Sequence, residues 1–299
     1  TPLQNGFDSL FPNKSKISRS HKGLKLRYLF HTSVIINIKW RNTMKKLITL
    51  SLLVLFSLVS SVSANDWDKI RIGVEGAYPP FSSVEKDGTL IGFDIDIARA
   101  LCEEIGAECV LVPQDWDGII PALLARKYDA IIASMSITEE RKKKVAFSDK
   151  YYNTPAKFAR KKGSGITISK AGMKGKTVGV QRATTHDNFI TAEFGDSVNI
   201  KRYGTQDEAY LDAIAGRVDL LLADSIAMED GFLKTDKGKG WEFVGPGYSD
   251  PKYFGVGAGI AVRKNERELA KLFSLAIKVI RANGVYHRIN GKYFAFDVY

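Results

Sequence analysis

The same helix–strand unit occurs twice in this chain. Residues 122–134 align with residues 211–224, with one offset at the start. The aligned positions are Asp129 with Asp219 and Ser134 with Asp224, and Gly73-Val74-Glu75 aligns in the same way with Gly179-Val180-Gln181. Because strand and helix patterns alternate in both halves, the repetition predicts two similar α/β lobes with mostly parallel sheets. A chance likeness between helix–turn–strand units is the alternative.

Short apolar runs predict the strands of both halves. They span residues 70–74, 110–112, 130–133, 177–180 and 220–223. Helical patterns cover residues 92–105, 117–126 with Asp117 as N-cap, and 265–283 followed by Gly284. Ligands of open α/β sheets bind beyond the carboxyl ends of the strands. Glu75, Ser134, Gln181 and Asp224 follow related strands, and they are therefore predicted to face one cleft between the lobes.

The first 64 residues are predicted to lie outside the folded protein. Residues 44–64 have the pattern of a secretory signal peptide, with a basic start, an apolar stretch from Leu47 to Val59, and small residues before Asn65. A transmembrane anchor is the weaker reading, because the apolar run is short. Residues 1–43 precede Met44 and are interpreted as an upstream, non-native extension.

The charge of the chain is concentrated in that N-terminal part. The full sequence carries a net charge of +11, but residues 1–64 hold ten of its 44 basic residues and one of its 33 acidic residues. The exported part is therefore almost neutral and has no basic block. This balance gives little support to a nucleic-acid partner. Separately, we expect the protein to be a monomer.

Cys102 and Cys109 are the two cysteines of the sequence. Two cysteines in an exported protein usually pair, and this pair would join the end of the predicted helix 92–105 to the next strand, for about 2 kcal/mol of stability. A metal site is the rival reading, but two ligands without a nearby histidine make it a poor one. The sequence thus predicts a disulfide in an oxidising compartment, with no metal and no cofactor.

Residues 134–141 read Ser-Met-Ser-Ile-Thr-Glu-Glu-Arg and join the end of a strand to the start of a helix. Free N–H groups at a helix start and an arginine fork together form a carboxylate site, and a simple N-cap with a solvated charge run is the alternative. Arg141, with the N–H groups of Ser136 and Thr185, can bind a carboxylate. Asp224 and Ser134 can accept hydrogen bonds from an ammonium group. Together these residues predict a site for the head group of an amino acid.

Aromatic residues and a further acid extend this predicted site. Tyr78 and Trp116 lie on loops at strand ends, where they can sandwich a ligand side chain, although core packing is the alternative for both. Glu75 would face the far end of the ligand, and its alternative is a surface carboxylate. Motifs of enzymes are poor in this sequence, so no catalytic residue is assigned.

Several motifs together resemble the periplasmic amino-acid-binding proteins of ABC transporters, most of all the lysine/arginine/ornithine- and histidine-binding branch. The motifs are residues 73–81 (GVEGAYPPF), 92–96 (GFDID), the Cys102/Cys109 spacing, 115–117 (DWD), 134–141, 147–149 (FSD) and 252–255 (KYFG). The resemblance covers residues 66–299. It implies a periplasmic protein that takes up a free amino acid and delivers it to an inner-membrane ABC permease.

The resemblance also implies an architecture. It is an α/β, two-lobed type II periplasmic-binding-protein fold, in which each lobe is a mixed sheet flanked by helices. Two crossover strands, near residues 148–153 and 254–257, would join the lobes. The first lobe would comprise residues 65–152 and 256–299, and the second lobe residues 153–255.

The match to that branch is uneven over the site. The head-group residues Arg141, Ser136, Thr185, Ser134 and Asp224 match it. The side-chain end departs from it, with Glu75 in place of an aspartate, Trp116 where a phenylalanine is common, Gln181 in place of a leucine and His186 in place of a glutamine. A cationic amino acid is the predicted ligand. An opine, whose extra acid arm Gln181 and His186 could bind, is one alternative, and an enzyme of the cyclohexadienyl-dehydratase kind is another.

Overall fold

The computed structural model describes residues 67–299, which form two five-stranded sheets and one small three-stranded sheet. The predicted extension 1–43 and the predicted signal peptide 44–64 lie outside the described residues. The first sheet has the order β5 (Glu108–Pro113), β1 (Lys69–Val74), β6 (Ala130–Ile131), β13 (Ala258–Arg263) and β7 (Val145–Tyr152). The second has the order β10 (Asn199–Tyr203), β9 (Thr177–Gln181), β11 (Leu220–Asp224), β8 (Ala156–Lys161) and β12 (Trp241–Tyr248). The small sheet consists of β2 (Ala77–Tyr78), β3 (Ser82–Val84) and β4 (Leu90–Ile91).

Both large sheets are mixed and both are flanked by helices. In each sheet three strands pair in parallel, and the remaining two join them antiparallel. The α-helices are α1 (Phe93–Ile105), α2 (Ile119–Leu124), α3 (Glu139–Lys142), α4 (Thr185–Phe194), α5 (Gln206–Ile214), α6 (Ser225–Met228), α7 (Pro251–Phe254), α8 (Arg267–Ala282) and α9 (Val285–Tyr293). This arrangement confirms the predicted α/β class.

The internal repeat is present in the hydrogen bonding of the two sheets. The Asp129 carboxylate accepts the N–H of Arg71 at 3.1 Å, and the Asp219 carboxylate accepts the N–H of Thr177 at 2.9 Å. Each aspartate therefore begins a strand by binding the backbone of the neighbouring parallel strand, β1 in one sheet and β9 in the other. The two sequence units thus fold into equivalent positions.

The chain passes between the two large sheets twice. It leaves the first sheet after β7, enters the second at β8, and returns from β12 through α7 to β13. The long helix α8 packs on the first sheet, as its apolar stripe predicts, with Leu269, Phe273 and Ile277 buried in the same cluster as Ile70. The lobe boundaries at residues 152/153 and 255/256 stay predictions.

One predicted helix start is wrong. Asp117 does not cap a helix, because residues Trp116–Gly118 form a 3₁₀ turn before α2, and its carboxylate instead binds Arg182 Nε at 2.5 Å. The last predicted helix, at residues 265–283, is confirmed as α8, and a further helix that was not predicted, α9, begins directly after Gly284. The φ angle of Gly284 is 81°, a left-handed conformation that lets the chain end α8 and start again in a new direction.

The predicted disulfide is not formed in the structure. Cys102 and Cys109 are both free thiols. Cys109 Sγ donates a weak hydrogen bond to the Ala98 carbonyl at 3.6 Å, and a contact between the two thiols raises the pKa of Cys102 and lowers that of Cys109. The two cysteines are therefore neighbouring thiols, one on α1 and one on β5, that contact each other without a covalent bond.

Candidate functional site

A cavity lies between the two large sheets, at the carboxyl ends of β1, β6, β9 and β11. All ten residues predicted for ligand binding line it: Glu75, Tyr78, Trp116, Ser134, Ser136, Arg141, Gln181, Thr185, His186 and Asp224. The topological rule that ligands bind beyond strand ends therefore located the cavity correctly. Whether these residues bind a ligand stays a prediction.

Other lining residues were missed by sequence reasoning. Thr154 lies between β7 and β8, Thr184 caps α4, and Phe254 ends α7. Phe254 belongs to the motif at residues 252–255, and this motif could have predicted its place in the cavity. Thr154 had none, because its place in the cavity depends on how the chain crosses between the sheets.

Arg141 forms one end of the cavity. It lies in the short helix α3, where Thr138 Oγ1 accepts its backbone N–H at 3.2 Å, and its Nη1 donates to the Ser136 carbonyl at 3.0 Å. The guanidinium lies 5.1 Å from the centre of the Trp116 ring. Burial lowers the pKa of Arg141 to about 10, so the group is still a cation at neutral pH.

The Arg141 guanidinium forms no ion pair with another side chain within residues 67–299. The charge of the neighbouring Glu140 acts on it, but more weakly than burial. A buried charge is costly unless it is paired, so this end of the cavity is suited to bind an anion. Thr185 lies close by as the first residue of α4, where its N–H has no acceptor within the helix.

Asp224 gives a second part of the cavity the opposite charge. Its carboxylate caps α6 by accepting the N–H groups of Ile226 at 2.8 Å and Ala227 at 3.2 Å, and the hydroxyl of Thr154 donates to its other oxygen. Burial raises the pKa of Asp224 to about 6, while these three hydrogen bonds act to lower it. The group can therefore serve as a carboxylate for a cation at neutral pH.

Glu75 adds a further acid, and it is joined to the second sheet. Gln181 Nε2 donates to Glu75 Oε1 at 2.6 Å and also to the Gly204 carbonyl at 3.1 Å. Burial, opposed by the Gln181 hydrogen bond and helped by the nearby carboxylates of Asp94, Asp207 and Asp115, raises the pKa of Glu75 to about 7. An added positive charge beside Glu75 would stabilise its ionised form.

Two aromatic side chains frame the cavity, as predicted. Tyr78 and Trp116 are each 8% exposed. The Tyr78 ring stacks on Phe81 at 6.0 Å between ring centres, and Trp116 Nε1 donates to the Ala183 carbonyl at 3.2 Å. Both rings line the cavity and are held in place by their own contacts.

His186 is a neutral group in this cavity. Its ring centre lies 5.9 Å from that of Phe254. Burial and, to a smaller extent, the charge of Arg141 lower the pKa of His186 to about 3. The imidazole can donate or accept one hydrogen bond, but it cannot supply a positive charge to an acidic ligand.

Three polar contacts join the two sides of the cavity. They are Trp116 to Ala183, Gln181 to Glu75, and the ion pair of Asp117 with Arg182. In each pair one residue follows a strand of the first sheet and the other follows β9. The structure therefore has the two lobes closed on each other.

Within residues 67–299, no group of His, Cys, Asp and Glu side chains is arranged to hold a metal ion, and no helix is long and apolar enough to span a membrane. The charged groups that line the cavity are the side chains of Arg141, Asp224 and Glu75. They form one cationic end and two acidic positions.

Comparison with known proteins gives concordant matches. The family model of bacterial extracellular solute-binding proteins, family 3, matches residues 70–296. An L-arginine-binding protein of Pseudomonas aeruginosa is 54% identical over 257 residues, which are 86% of this chain and 99% of the relative. A histidine-binding periplasmic protein of Salmonella typhimurium is 42% identical over 258 residues, 86% of this chain and 99% of the relative. Among solved structures, an ancestral arginine-binding protein bound to arginine has a TM-score of 0.71 and 36% identity, covering 76% of this chain and 99% of that one.

Proposed function

The chain belongs to the bacterial extracellular solute-binding proteins, family 3, and we propose that it captures a cationic amino acid for transport. The observation that carries this proposal is the charge pattern of the cavity. Arg141 is a half-buried cation that forms no ion pair within residues 67–299, and Asp224 and Glu75 are acids that line the same cavity. A cationic amino acid has one carboxylate and two positive groups, so each of its charges would meet the opposite charge.

Arginine is the proposed first choice among such ligands. Relatives named for arginine and for histidine both resemble this chain over most of its length, so the names alone do not separate the two. Glu75 supports a long cationic side chain, because it lies on the loop after β1 and adds a second carboxylate to the cavity besides Asp224. The closed lobes would bury this ligand, and hinge opening would release it.

An opine is supported less well than an amino acid. Its extra acid arm requires a second positive group in the cavity. Among the described residues that line the cavity, Arg141 is the one lysine or arginine, and His186 is neutral because of its lowered pKa. A second carboxylate would therefore be buried without a cation beside it.

An enzymatic role has one observation in its favour. A carboxylic acid with a pKa of about 7, such as Glu75, can act as a general acid or base near neutral pH. Prephenate and arogenate are the substrates that would test it, with product formation as the measurement. The binding role is preferred, because the relatives reported above are binding proteins.

The location and partners of the protein follow from the proposed role. We place the protein in the periplasm, with residues 44–64 as its signal peptide. Its partner would be an inner-membrane ABC permease. The two lobes would be residues 65–152 with 256–299, and residues 153–255.

A ligand panel tests the proposed function. We expect arginine, lysine, ornithine or histidine to raise the unfolding temperature of the exported form, measured by thermal shift, and glutamine and opines to act weakly. A ligand at one hundred times its Kd should add about 2.7 kcal/mol to the free energy of unfolding. If none of these amino acids shifts unfolding while prephenate or arogenate is converted, the enzymatic role replaces the binding role.

Binding of a cationic amino acid should depend on pH. In the empty protein the raised pKa values, about 7 for Glu75 and about 6 for Asp224, mean that the folded state holds protons that the unfolded state loses near pH 4. The stability of the empty protein should therefore fall as pH rises from about 4 to 7. A cationic ligand favours the ionised acids, so its affinity should rise over pH 5.5 to 7.5, by up to about tenfold per pH unit for each proton released.

Calorimetry in two buffers of different ionisation enthalpy measures this proton release directly. We expect arginine to release protons near pH 6.5, and citrulline, its neutral isostere, to release fewer. Equal affinity for arginine at pH 5.5 and pH 7.5 would contradict the charge assignment of the two acids.

A further inference from the structure

Asp94 is a buried carboxylate close to the cavity but not part of its lining. It is fully buried, does not line the cavity, and lies in the first turn of α1, within the sequence motif at residues 92–96. Burial of an acid is costly, so the contacts of Asp94 are informative.

Asp94 belongs to a closed set of hydrogen bonds with Ser134 and Tyr151. Ser134 Oγ donates to Asp94 Oδ2 at 2.9 Å, and Tyr151 Oη donates to Asp94 Oδ1 at 2.8 Å. The backbone N–H of Ser134 donates to Tyr151 Oη at 3.0 Å. Ser134 has a positive φ angle of 51°, so these bonds hold both its side chain and an uncommon backbone conformation.

The direction of the Ser134 hydrogen bond decides what its oxygen can do. A serine hydroxyl has one proton and two lone pairs. Because the proton is donated to Asp94 behind it, the oxygen can offer only lone pairs to the cavity that Ser134 lines. An ammonium group has only donors, so it requires an oxygen in this state.

We propose that Asp94 is a positioning residue for the ligand. It accepts the hydrogen bond that the Ser134 hydroxyl donates, and Ser134 can therefore only accept a hydrogen bond from the α-ammonium group. This inference rests on the proposed function, since it requires a ligand with a free α-ammonium. Asp94 touches no ligand itself and acts through Ser134.

The electrostatics around Asp94 support this role. Burial raises the pKa of Asp94 to about 7, the hydrogen bonds from Tyr151 and Ser134 lower it, and the charge of Asp224 raises it. A cation bound beside Ser134 would favour the ionised form of Asp94, and the N-terminal end of α1 favours a negative charge there too. Ligand binding and the acceptor state of Ser134 would therefore reinforce each other.

The Asp94→Asn variant tests the inference with two probes, arginine and 5-guanidinopentanoate, which is arginine without its α-amino group. The asparagine amide would donate to Ser134 Oγ and turn the hydroxyl proton toward the ammonium. We expect the affinity for arginine to fall by about tenfold or more and that for 5-guanidinopentanoate to change by less than about threefold. Asp96→Asn, on the same helix but bound to Lys292 and Tyr293, is the matched control and should resemble the wild type.

A double-mutant cycle separates this role from general destabilisation. In a Ser134→Ala background, Asp94→Asn should cause no further loss of arginine affinity, because Asp94 acts through the missing hydroxyl. Additive losses, or equal losses for both probes in the single variant, would overturn the inference. If the wild type binds none of the cationic amino acids, the proposed function falls first, and this inference falls with it.

Tyr151→Phe keeps the inference testable if the asparagine variant does not fold. Without the Tyr151 hydrogen bond the pKa of Asp94 should rise, so that the pH of half-maximal arginine affinity moves upward. The pH dependence of the affinity for 5-guanidinopentanoate should not show this shift. An unchanged pH profile for arginine would contradict the role of Asp94.

Discussion

Replacing Arg141 with alanine should weaken amino-acid binding by about 3–5 kcal/mol, a loss of at least about a hundredfold in affinity. Arg141 is the cation of the cavity, and the ligand carboxylate would be its missing ionic partner. Without the guanidinium, closure of the lobes would bury that carboxylate with only the N–H groups of the backbone. Isothermal calorimetry with arginine measures the loss.

Two further variants identify which property of Arg141 is required. Arg141→Lys keeps the charge but removes the two-pronged geometry, and we expect an intermediate loss. Arg126→Ala removes an exposed arginine that pairs with Glu266, and its affinity should match the wild type. Wild-type affinity in Arg141→Ala would show that the head-group assignment is wrong.

A possible misfolding of Arg141→Ala can be recognised from the empty protein. The wild-type cavity contains a buried charge whose burial already lowers the pKa of Arg141 to about 10. Removal of this charge offsets the lost contact with the Trp116 ring, so the empty variant should unfold near the wild-type temperature. The loss should therefore appear in the ligand-induced shift alone.

The sequence predicted the position of the cavity because strand ends are encoded locally. A short apolar run followed by a polar residue marks the carboxyl end of a strand, and the repeat relates these ends in the two lobes. Glu75, Ser134, Gln181 and Asp224 were found in this way, and the structure brings them to one cavity. Their spacing in the sequence was not needed for that prediction.

Contacts that depend on tertiary packing could not be predicted in the same way. Asp94 meets Ser134 across 40 positions of the sequence, and Thr154 meets Asp224 across 70. Asp117 looked like an N-cap by its residue type, but in the folded chain its carboxylate is bound by Arg182. Local propensity is a weak guide where a distant partner competes for the same group.

Replacing Glu75 with glutamine should change which ligands bind rather than whether they bind. We expect arginine affinity to fall by about 2–3 kcal/mol, because a charge-assisted hydrogen bond to the guanidinium becomes a neutral one. Citrulline has the same shape without the charge, and its affinity should change by less than about 0.5 kcal/mol. The ratio of the two affinities, measured by calorimetry, therefore reports on Glu75 alone.

The comparison of arginine with citrulline in Glu75→Gln distinguishes the loss of a charge from a change in the shape of the cavity. Gln181 Nε2 donates to Glu75 Oε1, and a glutamine at position 75 can still accept this bond through its amide oxygen, so the contact between the lobes is kept. Glu85→Gln changes an exposed glutamate on the loop that follows β3 and should leave both affinities unchanged. The pH dependence of arginine binding should also weaken in Glu75→Gln, because one of the three acids with a raised pKa, Glu75, Asp94 and Asp224, is gone. Equal losses for arginine and citrulline would mean that Glu75 shapes the cavity without recognising the charge of the side chain.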